Sequence, residues 1–158
     1  MYTIICLILF IIISLIYNLF IIFKYKTIPV SLSETSYILG GFKRYWFSAY
    51  CITTAMLIFP LLLMTIPEKL AFLCFLMCGG LMFAGLSPMF KNGMDKTIHY
   101  TASILSFIIF IIFMIFVIGW LYLALYIWLL ALLILCKKEC YVYFAEMLIY
   151  VFIILFII

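Results

Sequence analysis

The sequence has few charged residues, and this scarcity excludes most classes of soluble protein. Only 9% of its 158 residues are charged, while 72% are apolar. A soluble globular domain is about half apolar and about one-quarter charged. A chain of this size cannot shield so much apolar surface from water, but lipid can surround it. The composition therefore excludes a soluble enzyme domain, a nucleic-acid-binding module and a large extramembrane domain.

The sequence also lacks residues and motifs that most enzymes need. His99 is the only histidine, so a zinc hydrolase with several histidine ligands is excluded. The GxSxG, HExxH, Walker and Rossmann patterns are absent. The six cysteines have no CxxC spacing, and we interpret them as packing residues. We expect no cofactor, no metal and no catalytic activity.

Apolar runs between charged residues predict an all-α, polytopic membrane bundle that forms a single domain over residues 1–158. A spanning helix needs about 20 apolar residues, so the composition predicts about six spans. The uncharged run 97–136 would be about 60 Å long as one helix. The hydrocarbon core is only about 30 Å thick, so we expect a turn near Gly119 and Trp120. The predicted spans are approximately 3–23, 46–66, 70–90, 100–118, 121–136 and 141–158, with a cytoplasmic loop at 24–45.

The basic residues predict the orientation of these spans. With six spans, eight of the nine basic residues lie on one side and only Lys69 on the other. A single span over 97–136 would change that division to six and three. Loops rich in Lys and Arg stay in the cytoplasm, so we expect an inner (plasma) membrane protein with both termini outside the cytoplasm. The eight are Lys24, Lys26, Lys43, Arg44, Lys91, Lys96, Lys137 and Lys138.

The loop 24–45 contains a predicted short helix. Ser31 and Glu34 fit a capping box, in which Ser caps the helix and Glu reaches back to its start. Gly40-Gly41 is typical of a helix end. We expect an interfacial helix that turns Leu32, Ile38 and Leu39 toward lipid. A docking or ligand-binding element is the alternative, using Ser33, Glu34, Thr35 and Ser36.

Glu146 is the one charged residue that we expect at membrane depth, where an ionisable side chain is costly and indicates function. It lies about 8 Å into the last predicted span. It would carry a proton or cation, or else hydrogen-bond to another helix. Asn18, in the inner half of the first predicted span, is a second candidate for a polar intramembrane site. A lone Asn at such a depth usually links helices.

Asp95 and His99 lie four residues apart at the start of the fourth predicted span. An acidic side chain at a helix N-terminus is favoured by the helix dipole, so a cap with an interfacial histidine ring is the first interpretation. The second is a catalytic histidine oriented by Asp95 in one cleft with Ser33, Glu34 or Glu139.

The third predicted span is rich in small residues. Gly80 and Ala84 form a small-xxx-small pair that lets another backbone approach closely, and Gly85 and Pro88 follow. We expect this helix at the centre of the bundle, where tight packing is favoured over a permeation path. Pro60 interrupts the second predicted span and should kink it.

Two segments resemble a known group of proteins. One is Gly80-Leu-Met-Phe-Ala-Gly-Leu-Ser-Pro88-Met-Phe-Lys91 with His99-Tyr100 after it, and the other is Ser31-Leu-Ser-Glu-Thr-Ser-Tyr37. Together they are similar to segments of an uncharacterised family of small bacterial multi-span membrane proteins of unknown function. The resemblance implies a helical bundle of about six helices. It marks Ser33, Pro88 and His99 and implies no activity.

These features lead to three hypotheses about function. The first is a non-catalytic membrane protein that is a subunit of an assembly or a membrane-embedded sensor or binding component. It would contact the lipid bilayer and a protein partner or a second copy of itself. The second is a small transporter or channel with a polar path that includes Glu146. The third is a lipid-modifying enzyme at the cytoplasmic face that uses Asp95 and His99.

Overall fold

The computed structural model describes residues 2–26, 28–88, 91, 93–135 and 139–158, and over these ranges the protein contains helices but no strands. The predicted all-α class is confirmed. Cys136, Lys137 and Lys138, at the end of the fifth predicted span, lie outside the described residues. The helices are α1 (Tyr2–Tyr25), α2 (Thr35–Leu39), α3 (Tyr45–Thr65), α4 (Ala71–Leu86), α5 (Gly93–Phe113), α6 (Trp120–Leu135) and α7 (Tyr141–Ile157).

Four helical segments in the described ranges are long and apolar enough to cross a membrane. The helices α6 and α7 are also apolar but have 16 and 17 residues. They are therefore about 25 Å long, somewhat less than the hydrocarbon core of about 30 Å. The total of six spans stays a prediction. The four segments are Tyr2–Tyr25, Gly41–Thr65, Glu68–Leu86 and Gly93–Ile118.

The turn predicted near Gly119 is present. A π-helical turn, Met114–Ile118, follows α5 and ends at Gly119, whose φ of +116° suits a residue without a side chain. α6 begins at the next residue and returns along α5, where the ring of Tyr126 lies 5.5 Å from that of Phe110. The long uncharged run thus forms two helices that pack against each other.

α4 packs between α3 and α5, and two glycines allow this close approach. A Cβ at Gly80 would overlap the hydroxyl of Ser106 and lie 3.1 Å from the Ala102 carbonyl oxygen, both on α5. A Cβ at Gly85 would lie 2.5 Å from the Cβ of Cys51 on α3. Both neighbours of α4 therefore approach its backbone at a glycine.

Stacked rings and buried hydroxyls join α1 to α3 and to the loop before α2. The rings of Tyr17 and Tyr50 stack with centroids 4.2 Å apart and planes 10° apart. The Thr35 hydroxyl donates to the Leu32 carbonyl at 2.6 Å, so the Tyr17 hydroxyl donates to Thr35 Oγ1 at 2.5 Å. These contacts hold α2 against the bundle.

The prediction that Leu32, Ile38 and Leu39 face lipid is wrong at two of the three residues. Leu32 and Leu39 are 5% and 7% exposed and belong to the hydrophobic core, whereas Ile38 is half-buried. The segment folds back onto the bundle because the Leu32 N–H donates to Glu146 of α7 and the Ser36 hydroxyl donates to the Pro88 carbonyl. Both leucines therefore face protein.

Only half of the predicted capping box forms. The Ser31 hydroxyl accepts a hydrogen bond from the Glu34 N–H at 3.2 Å, as expected. The Glu34 side chain does not reach back, because its carboxylate pairs with Lys91 at 2.9 Å. The glycine stop is present, since Gly40 has a φ of +60° directly after α2.

Three connecting segments meet at one end of the bundle. Lys91, before α5, contacts Glu34 and Tyr37 beside α2, and the Tyr143 N–H of α7 donates to the Val30 carbonyl at 3.0 Å. Lys69 lies in the turn between α3 and α4, at the opposite end of both helices. Lys69 and Lys91 therefore lie at opposite ends of α4, and the predicted clustering of the basic residues on one side of a membrane stays a prediction.

The close contact at Gly85 makes α4 sensitive to a single methyl group. We expect Gly85→Ala to destabilise the protein by about 1–3 kcal/mol, because overpacking forces the helices apart. Thermal unfolding in detergent measures the loss. The control is Gly79→Ala on the same helix, where an added Cβ has nothing within 4 Å. Equal stability of the two variants would contradict the described packing.

The hairpin after α5 predicts that its tip and the start of α7 face opposite sides of the membrane. Single cysteines replace Trp120 and Glu139, which are both exposed, in a background without native cysteines. A membrane-impermeant thiol reagent should label residue 120 only from outside and residue 139 only from the cytoplasmic side. Labelling of both from the same side would refute the hairpin.

Candidate functional site

A cavity of about 370 Å³ lies among α3, α4, α5 and α7. Its walls are predominantly apolar, and α6 contributes one residue, Tyr126. We call this space the central cavity. Its volume falls within the range of about 300–1,000 Å³ that is usual for small-molecule pockets. The polar residues that line it include Ser33, His99, Ser103, Ser106, Tyr126 and Glu146.

One face of α7 forms a wall of the central cavity. Its lining residues recur every three or four positions from Val142 to Ile153, the spacing of one side of an α-helix. Ile153 follows Val142 by eleven positions, so the wall is about 16 Å long. The cavity is therefore elongated along the helix axes, and Glu146 lies near the end that α2 covers.

Glu146 lies at the boundary between this cavity and the folded-back loop. Its Oε2 accepts a hydrogen bond from the Leu32 N–H at 2.5 Å. Its Oε1 has no hydrogen-bond partner among the described residues, and Glu146 lines the cavity. No Lys or Arg is among the described residues that line the cavity. Glu146 thus faces a cavity inside the protein rather than bulk lipid, and Oε1 is available to an occupant.

Tyr126 carries a second polar atom of the cavity lining that lacks a partner among the described residues. Its side chain is 0% exposed, and its hydroxyl has no hydrogen-bond partner in the part of the chain that the structure describes. The ring is held edge-on by Phe110 and Phe152, each with centroids 5.5 Å away. A buried polar atom without a partner costs about 1–3 kcal/mol, so an occupant that bonds this hydroxyl would be stabilised.

His99 lines the central cavity but is held by backbone carbonyls. Its Nδ1 lies 2.9 Å from the Ala84 carbonyl oxygen, and a contact of this kind requires the ring nitrogen to donate. Ala84 belongs to the last turn of α4, where carbonyl groups lack partners within the helix. The geometry supports a role for His99 in capping α4.

The predicted pairing of Asp95 with His99 does not form. Asp95 makes no hydrogen bond or ion pair with any described residue, and it does not line the central cavity. Ser33 does line the cavity and is buried, with its hydroxyl 3.0 Å from that of Ser31. The structure thus brings Ser33 and His99 to the cavity with Glu146 but leaves Asp95 outside it.

Glu34 also lies outside the cavity, in a surface cluster with Lys91 and Tyr37. The Lys91 ammonium donates to the Glu34 carboxylate and lies 4.5 Å from the centre of the Tyr37 ring. The hydrogen bond to Glu34 raises the pKa of Lys91. This cluster attaches α2 to the segment before α5, so its role is to hold the covering loop in place.

Asn18 connects α1 to α7. Its Nδ2 donates to the Ser14 carbonyl at 2.7 Å, and its Oδ1 accepts from the Tyr143 hydroxyl at 2.6 Å. Both polar ends of the amide are therefore used in helix contacts, and Asn18 does not line the central cavity.

The predicted packing residues lie close to the site. Ala84 lines the central cavity, and the Pro88 carbonyl accepts from Ser36 at 2.8 Å. Pro60 lies inside α3, which continues as helix to Thr65. Pro60 is not a lining residue.

The cavity has a lateral opening on the α5 side. Ile104 and Phe107 both line it, yet they are 57% and 40% exposed on the outside of the bundle. The cavity is only partly enclosed, and we interpret these two residues as the rim of its opening. In a membrane this rim faces lipid, so an apolar molecule dissolved in the bilayer can reach the cavity without crossing water.

The described residues contain no cluster of three or more His, Cys, Asp or Glu side chains suited to a metal ion. Comparison with family models, with curated proteins and with solved structures gives no match. The resemblance to small bacterial membrane proteins stays a prediction.

Sequence reasoning missed three polar residues of the cavity. Ser103, Ser106 and Tyr126 lie inside apolar runs, where isolated hydroxyl groups have many structural roles. The spacing of Ser103 and Ser106 from His99, at four and seven residues, places all three on one helix face. That spacing is the sequence feature that could have indicated Ser103 and Ser106 as neighbours of His99.

The bond between Asn18 and Tyr143 yields a stability test. We expect Tyr143→Phe to destabilise the protein by about 1 kcal/mol, because the buried Asn18 carbonyl loses its donor. Tyr141→Phe is the control, since Tyr141 is exposed and precedes it by two residues. Unfolding in graded denaturing detergent gives the difference, and equal curves would show that this bond is dispensable.

Proposed function

We propose that this protein is a non-catalytic, membrane-embedded binding component, acting as a sensor or as a subunit of an assembly. Its ligand is a small, mostly apolar molecule that occupies the central cavity. One observation carries the proposal. The Glu146 Oε1 and the Tyr126 hydroxyl both lack partners among the described residues, and both residues line the same cavity. The Tyr126 hydroxyl is buried, and buried polar groups are nearly always hydrogen-bonded. The half-buried Glu146 carboxylate lines the same space, so a ligand that bonds both groups completes the site.

The rest of the cavity supports binding rather than chemistry. Its walls are mostly apolar, as in small-molecule sites where a few polar groups fix the orientation of the ligand. The predicted pairing of His99 with Asp95 is absent from the described lining, because the His99 ring bonds the Ala84 carbonyl and Asp95 lies elsewhere.

We also propose the finer membrane arrangement that the charges predict. The protein crosses the inner membrane six times, with both termini outside the cytoplasm, and the end with the connecting segments lies in the cytoplasm. Ser33 and Leu32 then line the cavity at its cytoplasmic end, next to the surface where a partner protein or a second copy would bind. Such a position suits a sensor, since ligand contacts and partner contacts meet in one loop.

A transporter is the second candidate because Glu146 faces a cavity inside the bundle. That function requires a path from the cavity to both sides of the membrane. Proteoliposomes that contain a pH-sensitive dye distinguish the two candidates. A transporter that moves protons through Glu146 gives a proton flux that Glu146→Gln abolishes. A binding component gives no proton flux.

The binding function predicts one saturable site for a neutral amphiphile. Labelled 1-decanol should bind the protein in nanodiscs with one-to-one stoichiometry, above its partition into empty nanodiscs of the same lipid. Ala145→Leu narrows the cavity, so it should weaken binding about tenfold or more, as expected for overpacking of about 1–3 kcal/mol. Ala124→Leu on the exposed side of α6 is the matched control. Binding of 1-decanol that does not saturate, or an affinity that Ala145→Leu leaves unchanged, would contradict the proposal.

A further inference from the structure

We infer that the ligand of the central cavity is a single-chain amphiphile with a protonated amine, which donates to Glu146 Oε1 while its chain lies along α7. This inference rests on the binding function proposed above and adds the chemical class of the ligand. It draws on the charges in the cavity, the shape of the cavity and the position of its opening.

The charge in the cavity favours a cationic head group. Glu146 is the only Asp or Glu among the described lining residues, and these include no Lys or Arg. A carboxylate in an apolar cavity is costly unless it is paired. A protonated amine supplies both the opposite charge and a hydrogen-bond donor, and hydrogen bonds between charged groups are about twice as strong as neutral ones. A ligand with its own carboxylate would be repelled.

The position of Glu146 fixes where the amine lies. The Leu32 N–H already occupies Oε2, so the amine binds at Oε1. Ser33 lines the same end of the cavity, and its hydroxyl oxygen can accept one of the other protons of the ammonium.

The length of the cavity accommodates the chain. The distance along the α7 axis from Glu146 to Ile153, the last lining residue of this helix, is about 10 Å. The walls over this distance are apolar, with Ile149 on α7 and Phe110 on α5. Tyr126 and Tyr150 are polar exceptions, and the unpartnered Tyr126 hydroxyl can bond a hydroxyl or carbonyl group within the chain.

The opening agrees with a ligand that comes from the bilayer. Ile104 and Phe107 form a lipid-facing rim, through which an alkyl chain passes without leaving an apolar environment. The end of the cavity that contains Glu146 lies toward the end of the bundle where the connecting segments meet. A head group entering from that interface therefore has the shorter path.

The experiment compares three probes of equal chain length on the full protein in nanodiscs. These are labelled decylamine, 1-decanol and decanoic acid at neutral pH, each corrected for partition into empty nanodiscs. We expect decylamine to bind about tenfold more tightly than 1-decanol, because a bond to a charged donor adds about one decade of affinity. Decanoic acid should bind more weakly than either.

Glu146→Gln tests the named residue without removing the bond to the loop, since the Gln side-chain oxygen can still accept from the Leu32 N–H. It should lower decylamine affinity about tenfold and 1-decanol affinity by a smaller factor, because the Gln side chain can still hydrogen-bond a hydroxyl group but has no charge to pair with the ammonium. Glu139→Gln, an exposed site before α7, is the matched control and should change neither. An unaltered thermal unfolding temperature shows that Glu146→Gln is folded.

The outcomes separate this inference from the function on which it rests. Suppose that 1-decanol saturates one site and that Ala145→Leu lowers its affinity. If decylamine then binds no more tightly than 1-decanol, or if Glu146→Gln leaves decylamine affinity unchanged, the amine inference is wrong and the binding function stands. If no probe saturates a site, both fail. Tighter binding of decanoic acid than of decylamine would likewise overturn the amine inference.

Discussion

The hydrogen bond between the Glu146 carboxylate and the Leu32 N–H joins the two parts of the structure that matter most for function. It attaches the loop before α2 to α7, across 114 residues of sequence. The same carboxylate lines the central cavity. Glu146 therefore both holds the loop before α2 against α7 and supplies a polar group to the cavity.

The cavity exists because the packing around it is uneven. α4 is pressed against α3 and α5 at Gly80 and Gly85, where no side chain separates the backbones. On the other side, the large rings of Tyr126, Phe110 and Phe152 contact one another edge-on. Close contacts at the glycines and bulky groups at the rings leave a space between α5 and α7. In a membrane, apolar packing of this kind gains little from water exclusion, so close fit and hydrogen bonds carry more of the stability.

Sequence reasoning predicted the helical class, the turn at Gly119 and the small-residue packing of α4, because length, charge position and residue size fix these features. It placed Leu32 and Leu39 toward lipid, which was wrong. Lipid and a protein interior are equally apolar, so hydrophobic residues alone do not tell which one a helix face contacts. Tyr126 was missed for a related reason, since a tyrosine in an apolar run fits the membrane interface as well as a cavity wall. Glu146 was identified from the sequence as a candidate site residue because a charged side chain at membrane depth has few roles.

A structure of the protein in nanodiscs with decylamine is the most direct test of this account. The account predicts density for one chain along α7, with the amine nitrogen about 3 Å from Glu146 Oε1 and the Leu32 N–H still bonded to Oε2. An empty or collapsed cavity, or a Glu146 side chain turned toward lipid headgroups, would contradict it.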